Sequence, residues 1–244
     1  MLEIRDLTVG LVSENSTTIL QKLTLTLQKG KTYALMGPNG SGKSTLAGVL
    51  AGDPSFNITN GSVNFIGANL LNTDAPSRSL MGLFVAYQNP PYISGLNISS
   101  FLRRIYNKRQ KTSLSPKEFG KLLDEKMALL NLPAEFKSRS FNEGFSGGER
   151  KKMEVLQILL LKPAMAILDE IDSGVDIDSL KTIISTMQNE QRALGQTLLY
   201  ITHSTVLPKM LKPEKIFVLK GGKIVAEDGI NIVEKVERDG YDGL

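Results

Sequence analysis

Residues Gly37, Pro38, Asn39, Gly40, Ser41, Gly42, Lys43, Ser44 and Thr45 read GPNGSGKST, and their types suit one task, the holding of a polyphosphate. Glycines let consecutive backbone N–H groups curl round phosphate oxygens, and a helix opening directly behind them adds its positive end. Lys43 then reaches the β- and γ-phosphates, and the Ser44 hydroxyl takes Mg2+. A bare glycine turn explains the glycines but gives Lys43 and Ser44 no shared purpose. Further along, AMAILDE carries apolar residues to Asp169 and Glu170. Behind a phosphate loop, Asp169 serves the metal shell and Glu170 orients or deprotonates an attacking water. His203, the sole histidine, follows the apolar run TLLYIT. Ligands bind at the carboxyl ends of strands in open α/β sheets, so its ring is expected to contact a γ-phosphate. Gln88 in VAYQNPP also ends a strand-like run; its amide suits Mg2+ and the water, and an ordinary loop glutamine reads equally well.

These side chains need strands and helices to carry them. LEIRDLTV, LTLTLQKG and SVNFIG alternate apolar and polar residues and end in turn signals, which predicts an antiparallel sheet near the start. KTYALMG is an apolar strand running into the phosphate loop and then a helix. From about residue 95 to 160 the texture is helical. There SPKEFGKLLDEKMALL sets Ser115 as N-cap, Pro116 at the first helical position and Glu118 at the third, a capping box. Phe119, Leu122, Leu123 and Leu130 share one face of that helix. Alternation then resumes: the strand AMAILDE, a helix with Leu180, Ile183, Ile184 and Met187 at helical spacing and Gly195 beyond its end, and the strand TLLYIT. Gly221-Gly222 joins KIFVL to KIVAE as a hairpin. The expected class is α/β, a P-loop NTPase core with a mostly parallel sheet, an N-terminal antiparallel β subdomain and an inserted helical subdomain. The expected boundaries are 1–88 and 160–244 for the nucleotide-binding core and 89–159 for the helical part.

The composition narrows the partners. Of 244 residues, 41% are hydrophobic, enough for a sizeable core, yet no run approaches the roughly 20 apolar residues of a membrane span. The opening MLEIRDLTVG reads as a strand and lacks the order of a secretion signal. Zero cysteines exclude disulfides, a thiol nucleophile and thiolate metal sites, and suit a reducing compartment, the cytoplasm or the plastid stroma of an organellar chain. A net charge of +4, from 29 basic and 25 acidic residues, does not announce nucleic acid. The local excess FLRRIYNKRQK, five basic residues and no acid, reads as a solvated helix face or partner surface, because no stacking platform or reading motif accompanies it.

A second glycine turn, EGFSGGERKK at 143–152, lies too far along the chain to belong to the phosphate loop. Ser146, Gly147 and Gly148 would begin a helix through Met153, Leu156 and Leu160, whose unpaired N–H groups can receive a phosphate. Phosphate loop, Gln88, FSGGE, the acids, SGVD and His203 in this order resemble the ATP-binding cassette ATPases over essentially the whole chain. The resemblance implies ATP and Mg2+ as ligands, with Ser44, Gln88 and Asp169 at the metal. It implies a transient, ATP-dependent homodimer in head-to-tail arrangement. Each copy's Ser146, Gly147, Gly148 and Glu149 would cap the ATP on the other's phosphate loop, with Asp176 communicating across the interface. Within the family, GFSGGERKK, ILDEIDSGVDID, GPNGSGKSTLAGVLAGD and DGYDGL are most similar to the SufC group, the ATPases of iron–sulfur cluster assembly. That closer resemblance implies SufB/SufD-like scaffold partners docking near Gln88 and NPPYISG, with no nucleic acid and no direct membrane insertion. The alternative is the ATP-binding subunit of a membrane transporter. Long coiled-coil ATPases are excluded by the short span between Lys43 and Ser146, and a plain phosphotransferase gives FSGGE no role.

Two features depart from the family pattern. Val9 to Val12 offers no aromatic for adenine, leaving Tyr33 or a residue outside that stretch, and Glu149 stands where glutamine is commoner, with Arg150, Lys151 and Lys152 placed to offset its charge. Before dimerisation, Lys151 or Lys152 either pairs with Glu170 and holds it away from water or belongs to an ordinary solvated helix start, the two readings standing equally.

Overall fold

The alternating N-terminal segments form strands Leu2–Leu11 (β1) and Thr18–Leu27 (β2) in a computed structural model that describes residues 1–13 and 17–244. β1 pairs antiparallel with β2 and with Phe56–Phe65 (β4), which a short strand Ala68–Asn69 (β5) extends. Asp6 and Lys22 both adopt φ 49, at bulges in the β1–β2 pairing. An extra residue at such a point reverses the pleat, which is why the buried set steps from Ile4 to Leu7 and from Leu20 to Leu23. β4 begins at Phe56 rather than at Ser62, where the apolar alternation starts. The polar run FNITNG reads as turn, but Phe56 to Asn60 find cross-strand partners in Leu11 to Thr8.

The second sheet holds Thr32–Met36 (β3), Leu83–Ala86 (β6), Met165–Asp169 (β9), Thr197–Thr202 (β10), Lys215–Lys220 (β11) and Lys223–Asp228 (β12), in the order β12-β11-β3-β10-β9-β6. All neighbours are parallel except the β11–β12 hairpin, whose Gly221 and Gly222 take φ 55 and 77 as the tight turn requires. β9 and β10 are buried along their whole length, the mark of parallel strands covered on both faces. Strand period two sorts the side chains into two clusters. Tyr33, Leu35, Ile167, Leu199, Ile201, Phe217 and Leu219 join Leu46 and Leu50 of the helix Lys43–Ala51 (α1) and the apolar faces of β1 and β2. Ala34, Met36, Ile216 and Val218 join Ile232 and Val233 of Asn231–Asp239 (α8). Short helices Ala75–Met81 (α2) and Val206–Leu211 (α7) complete this unit, which spans Met1–Tyr87, Ala164–Glu170 and Gly195–Leu244.

A second unit, Gln88–Pro163 with Ile171–Leu194, is mostly helical. Its helices are Ile98–Gln110 (α3), Pro116–Leu129 (α4), Gly147–Leu161 (α5) and Ile177–Leu194 (α6). Ser115 caps α4 in a reciprocal box with Glu118, and Phe119, Leu123 and Leu130 are buried, as the sequence predicts. Leu180, Ile183, Ile184 and Met187 form the buried stripe of α6. Two short strands, Ile93–Asn97 (β7) and Ser140–Phe141 (β8), pair antiparallel. They are too short to carry a periodic signal and exist only through each other.

Candidate functional site

The strand registers of the first unit decide what meets at the sheet edge. Thr202 lies opposite Met36, Ile201 opposite Asp169, and Val218 opposite Met36. Gly37, Glu170 and His203 are therefore each the first residue past the carboxyl end of a strand, side by side, where open α/β sheets bind ligands.

The phosphate loop is shaped by close backbone approaches. A Cβ on Gly37 would stand 2.1 Å from the Leu219 carbonyl oxygen, and Gly40 and Gly42 hold φ 76 and 103. The Gly222 N–H donates to the Ser41 carbonyl at 3.1 Å, so the distant hairpin also supports the loop. Lys43 folds back with its ammonium donating to the Gly37 and Pro38 carbonyls, both at 2.9 Å. Burial lowers its pKa from the ordinary value, while the nearby Glu170 and Asp169 carboxylates push the other way. Ser44 is exposed, Thr45 half-buried and Asn39 exposed.

The start of α1 is suited to an anion. Gly42 provides no side-chain cap and the first turn has no acid, whereas α2, α3, α4 and α5 are all capped by an Asp, Asn or Ser side chain. Helix N–H groups left without a cap, a positive helix end and a buried lysine make the cradle fit a phosphate chain. The Ser44 hydroxyl and the Asp169 carboxylate are hard oxygen donors, few in number, as Mg2+ prefers when phosphates supply the rest of its shell.

Glu170, buried, sits at φ 49 with its N–H donating to the Ile201 carbonyl at 2.9 Å. A left-handed conformation at a non-glycine residue stores strain that the surroundings must hold. It turns the carboxylate to His203, whose Nδ1 lies 3.1 Å from Glu170 Oε1, the histidine being 48% exposed. Arg78, which drew no attention in the sequence, is buried and donates to the Val49 and Leu50 carbonyls at the end of α1 and to Thr73. Burial lowers its pKa from the ordinary value. Tyr33 is unsuited to stack on a base: it is buried, packs beside Phe217 at 6.1 Å and accepts the Gln28 N–H.

In the second unit the turn before α5 is built from side chains. Phe145 stacks on Phe136 at 4.5 Å with Arg139 over both rings, and the buried Asn142 amide donates to the Pro91 carbonyl. Ser146 accepts the Glu149 N–H and the Glu149 carboxylate accepts the Ser146 N–H, a complete capping box. Glu149 thus contributes to the helix start as well as adding charge, and the box takes up the Ser146 and Glu149 N–H groups that the sequence suggested were unpaired. Gly147 is tightly placed, since a Cβ would lie 3.0 Å from the Gly174 carbonyl oxygen and the neighbour would have to give by a few tenths of an ångström; Gly148 meets nothing within 4 Å. Lys151, buried, donates to the Gln88 carbonyl at 2.8 Å and lies 3.9 Å from Glu154. The Gln88 side chain is exposed. Asp176 accepts the Asp178 and Ser179 N–H groups and so caps α6; the Ser179 hydrogen bonds hold its pKa below the usual carboxylate value.

A family model described as "ABC transporter" matches residues 20–173. The chain belongs to the ABC ATPase family. A probable ATP-dependent transporter, ycf16, of Trieres chinensis is 42% identical, the match covering 100% of this chain and 97% of that protein. A probable ABC transporter ATP-binding protein of Streptococcus pyogenes serotype M1 is 40% identical, covering 100% and 94%. The ATP-binding cassette MJ0796, solved as a dimer bound to ADP and Pi, has the same fold at a TM-score of 0.82 and 20% identity, covering 94% of this chain and 99% of that one. As an ABC ATPase the chain hydrolyses ATP, and its α/β architecture with antiparallel N-terminal strands is that of the cassette structures. Among the described residues no helix is long and apolar enough to cross a membrane.

Proposed function

We propose that this ABC ATPase hydrolyses Mg-ATP at composite sites between two copies of the chain and drives conformational change in an iron–sulfur cluster assembly scaffold. The observation carrying the catalytic part is the single neighbourhood of Lys43, Asp169, Glu170 and His203 at the end of a parallel sheet. Lys43 and the amides of residues 38 to 45 bind the phosphates. Ser44 and Asp169 hold Mg2+, to which the family resemblance adds Gln88. When bound, the metal neutralises charge on the transferring phosphoryl group. Glu170 takes a proton from the attacking water; with Nδ1 turned to Glu170, His203 offers its other ring nitrogen to the γ-phosphate. Ser146, Gly147, Gly148 and Glu149 cap the nucleotide of the second copy, and Asp176, fixed as the cap of α6, borders that interface.

The scaffold reading rests on FSGGERKK and DEIDSGVDID, and on a chain whose lack of cysteine leaves cluster ligation to SufB/SufD-like partners. The relatives' names favour a second reading, the ATP-binding subunit of a transporter. Affinity capture from native cells followed by mass spectrometry separates the two. A cysteine-bearing soluble scaffold is the expected partner, and recovery of an integral membrane permease in its place rejects the scaffold reading.

A further inference from the structure

DGYDGL, the last of the sequence features singled out above, has no task in the mechanism, yet it is built into the site. After α8, Tyr241–Gly243 form one tight turn, and Gly243 is required there because a Cβ would lie 2.6 Å from Asp239 Cβ. Tyr241 and Leu244 pack half-buried against the cluster that holds Ala34 and Met36 of β3, which leads up to the phosphate loop, and Ile216 and Val218 of β11. Lys220 clasps the turn, its ammonium 2.9 Å from the Tyr241 carbonyl oxygen and 3.0 Å from Asp242 Oδ1. Anchored in this way, the Tyr241 hydroxyl donates to the His203 carbonyl at 3.1 Å. Burial pushes the phenol's pKa up, and a hydrogen bond with the Gly37 backbone works against it. The phenol oxygen thus holds the backbone of the residue whose ring meets Glu170.

We propose that Tyr241 is a positioning residue for ATP hydrolysis: by holding the His203 carbonyl, it fixes the backbone that aims the His203 ring at Glu170. His203 follows the last residue of β10 and its side chain is half exposed, so packing alone does little to set its direction. A hydrogen bond at its carbonyl removes backbone freedom where the ring's orientation is decided, and holding a catalytic group near its productive geometry is worth rate. The inference rests on the role given to His203 above, which one arm of the test examines by itself.

The test compares Tyr241→Phe, His203→Ala and the double variant in the full chain, by steady-state Mg-ATP hydrolysis with melting curves alongside. Phenylalanine keeps the ring's burial and removes only the hydroxyl. Tyr241→Phe is expected to lower kcat about three- to tenfold, the scale of one net hydrogen bond, with KM changed less than about twofold. In the His203→Ala background the further loss is expected to vanish, because residues acting through one another are not additive. An unchanged kcat, an effect confined to KM, or the same factor in both backgrounds overturns the proposal. If His203→Ala alone retains the wild-type rate, the histidine's assigned role falls and this inference with it. An impaired His203→Ala beside an unimpaired Tyr241→Phe overturns only the inference.

Discussion

Glu170→Gln exchanges one carboxylate oxygen for an amide and removes the proton acceptor while leaving what holds the side chain in place. The backbone at φ 49, anchored by the 2.9 Å bond to Ile201, accepts glutamine as it accepts glutamate. The 3.1 Å contact with His203, 48% exposed on the histidine side and 9% on the glutamate side, is one hydrogen bond whose alteration is worth about 1 kcal/mol. At roughly 2–4 °C per kcal/mol for a domain of this size, the melting midpoint moves by less than about 4 °C. Loss of a positioned general base lowers turnover by about 10²–10⁴-fold, which is about 2.7–5.5 kcal/mol of barrier at 1.36 kcal/mol per decade. The catalytic effect therefore exceeds the stability effect severalfold, and the two are separable in one preparation. Phosphate release at saturating Mg-ATP reads the first and a thermal melt the second, and gel filtration with nucleotide reads the ATP-bound dimer that blocked hydrolysis is expected to trap. Turnover within about threefold of wild type, with a normal melt, refutes Glu170 as the base.

Lys43→Met keeps the buried stem and removes the ammonium; nucleotide affinity by fluorescence titration should fall by about 10- to 150-fold, the range of hydrogen bonds to charged groups. Because burial lowers the pKa of Lys43 below its ordinary value of 10.5, the unfolded chain binds more protons between the folded value and 10.5. The lysine's contribution to stability without nucleotide thus rises with pH in that window. Denaturant titrations of wild type and Lys43→Met should diverge in the wild type's favour as pH approaches that upper limit, and a difference independent of pH counts against the assignment. Gly222→Ala, with its Cβ 2.1 Å from the Ile19 carbonyl oxygen at φ 77, should cost at least about 2 kcal/mol in a denaturant melt, whereas Gly40→Ala, in open space, should cost about 1 kcal/mol. Ser146→Ala and Ser115→Ala each remove the same capping box and should each cost about 1 kcal/mol; only Ser146→Ala should also slow ATP turnover, and equal turnover in the two rejects a nucleotide contact for Ser146.

Much of the fold was legible because its signals are local. The capping box at Ser115, the apolar stripe of α6 and the paired glycines at 221 and 222 are each set within a few residues and appear where the sequence puts them. What escaped depends on partners far along the chain. The first half of β4 is polar and is a strand only because β1 lies beside it; β7 and β8 have only each other. The buried Arg78 carries no local mark of its burial, and Tyr33 is a core residue because Phe217 and the Gln28 amide meet it there.

The candidate site divides along the same line. Sequence alone determined which groups are present: a glycine loop with its lysine, two acids ending an apolar strand, one histidine ending another, and a serine-glycine turn opening a helix. Their types and order follow from the chemistry of phosphate and need no coordinates. Tertiary structure decided how they meet. Parallel registers set Gly37, Glu170 and His203 side by side, and a strained backbone turns Glu170 to the histidine. Separately, a turn near residue 241 reaches back to the His203 carbonyl. The physical reason is that side-chain chemistry belongs to single residues, whereas distance between residues far apart in sequence is fixed only when hydrogen-bond registers and packing are settled together.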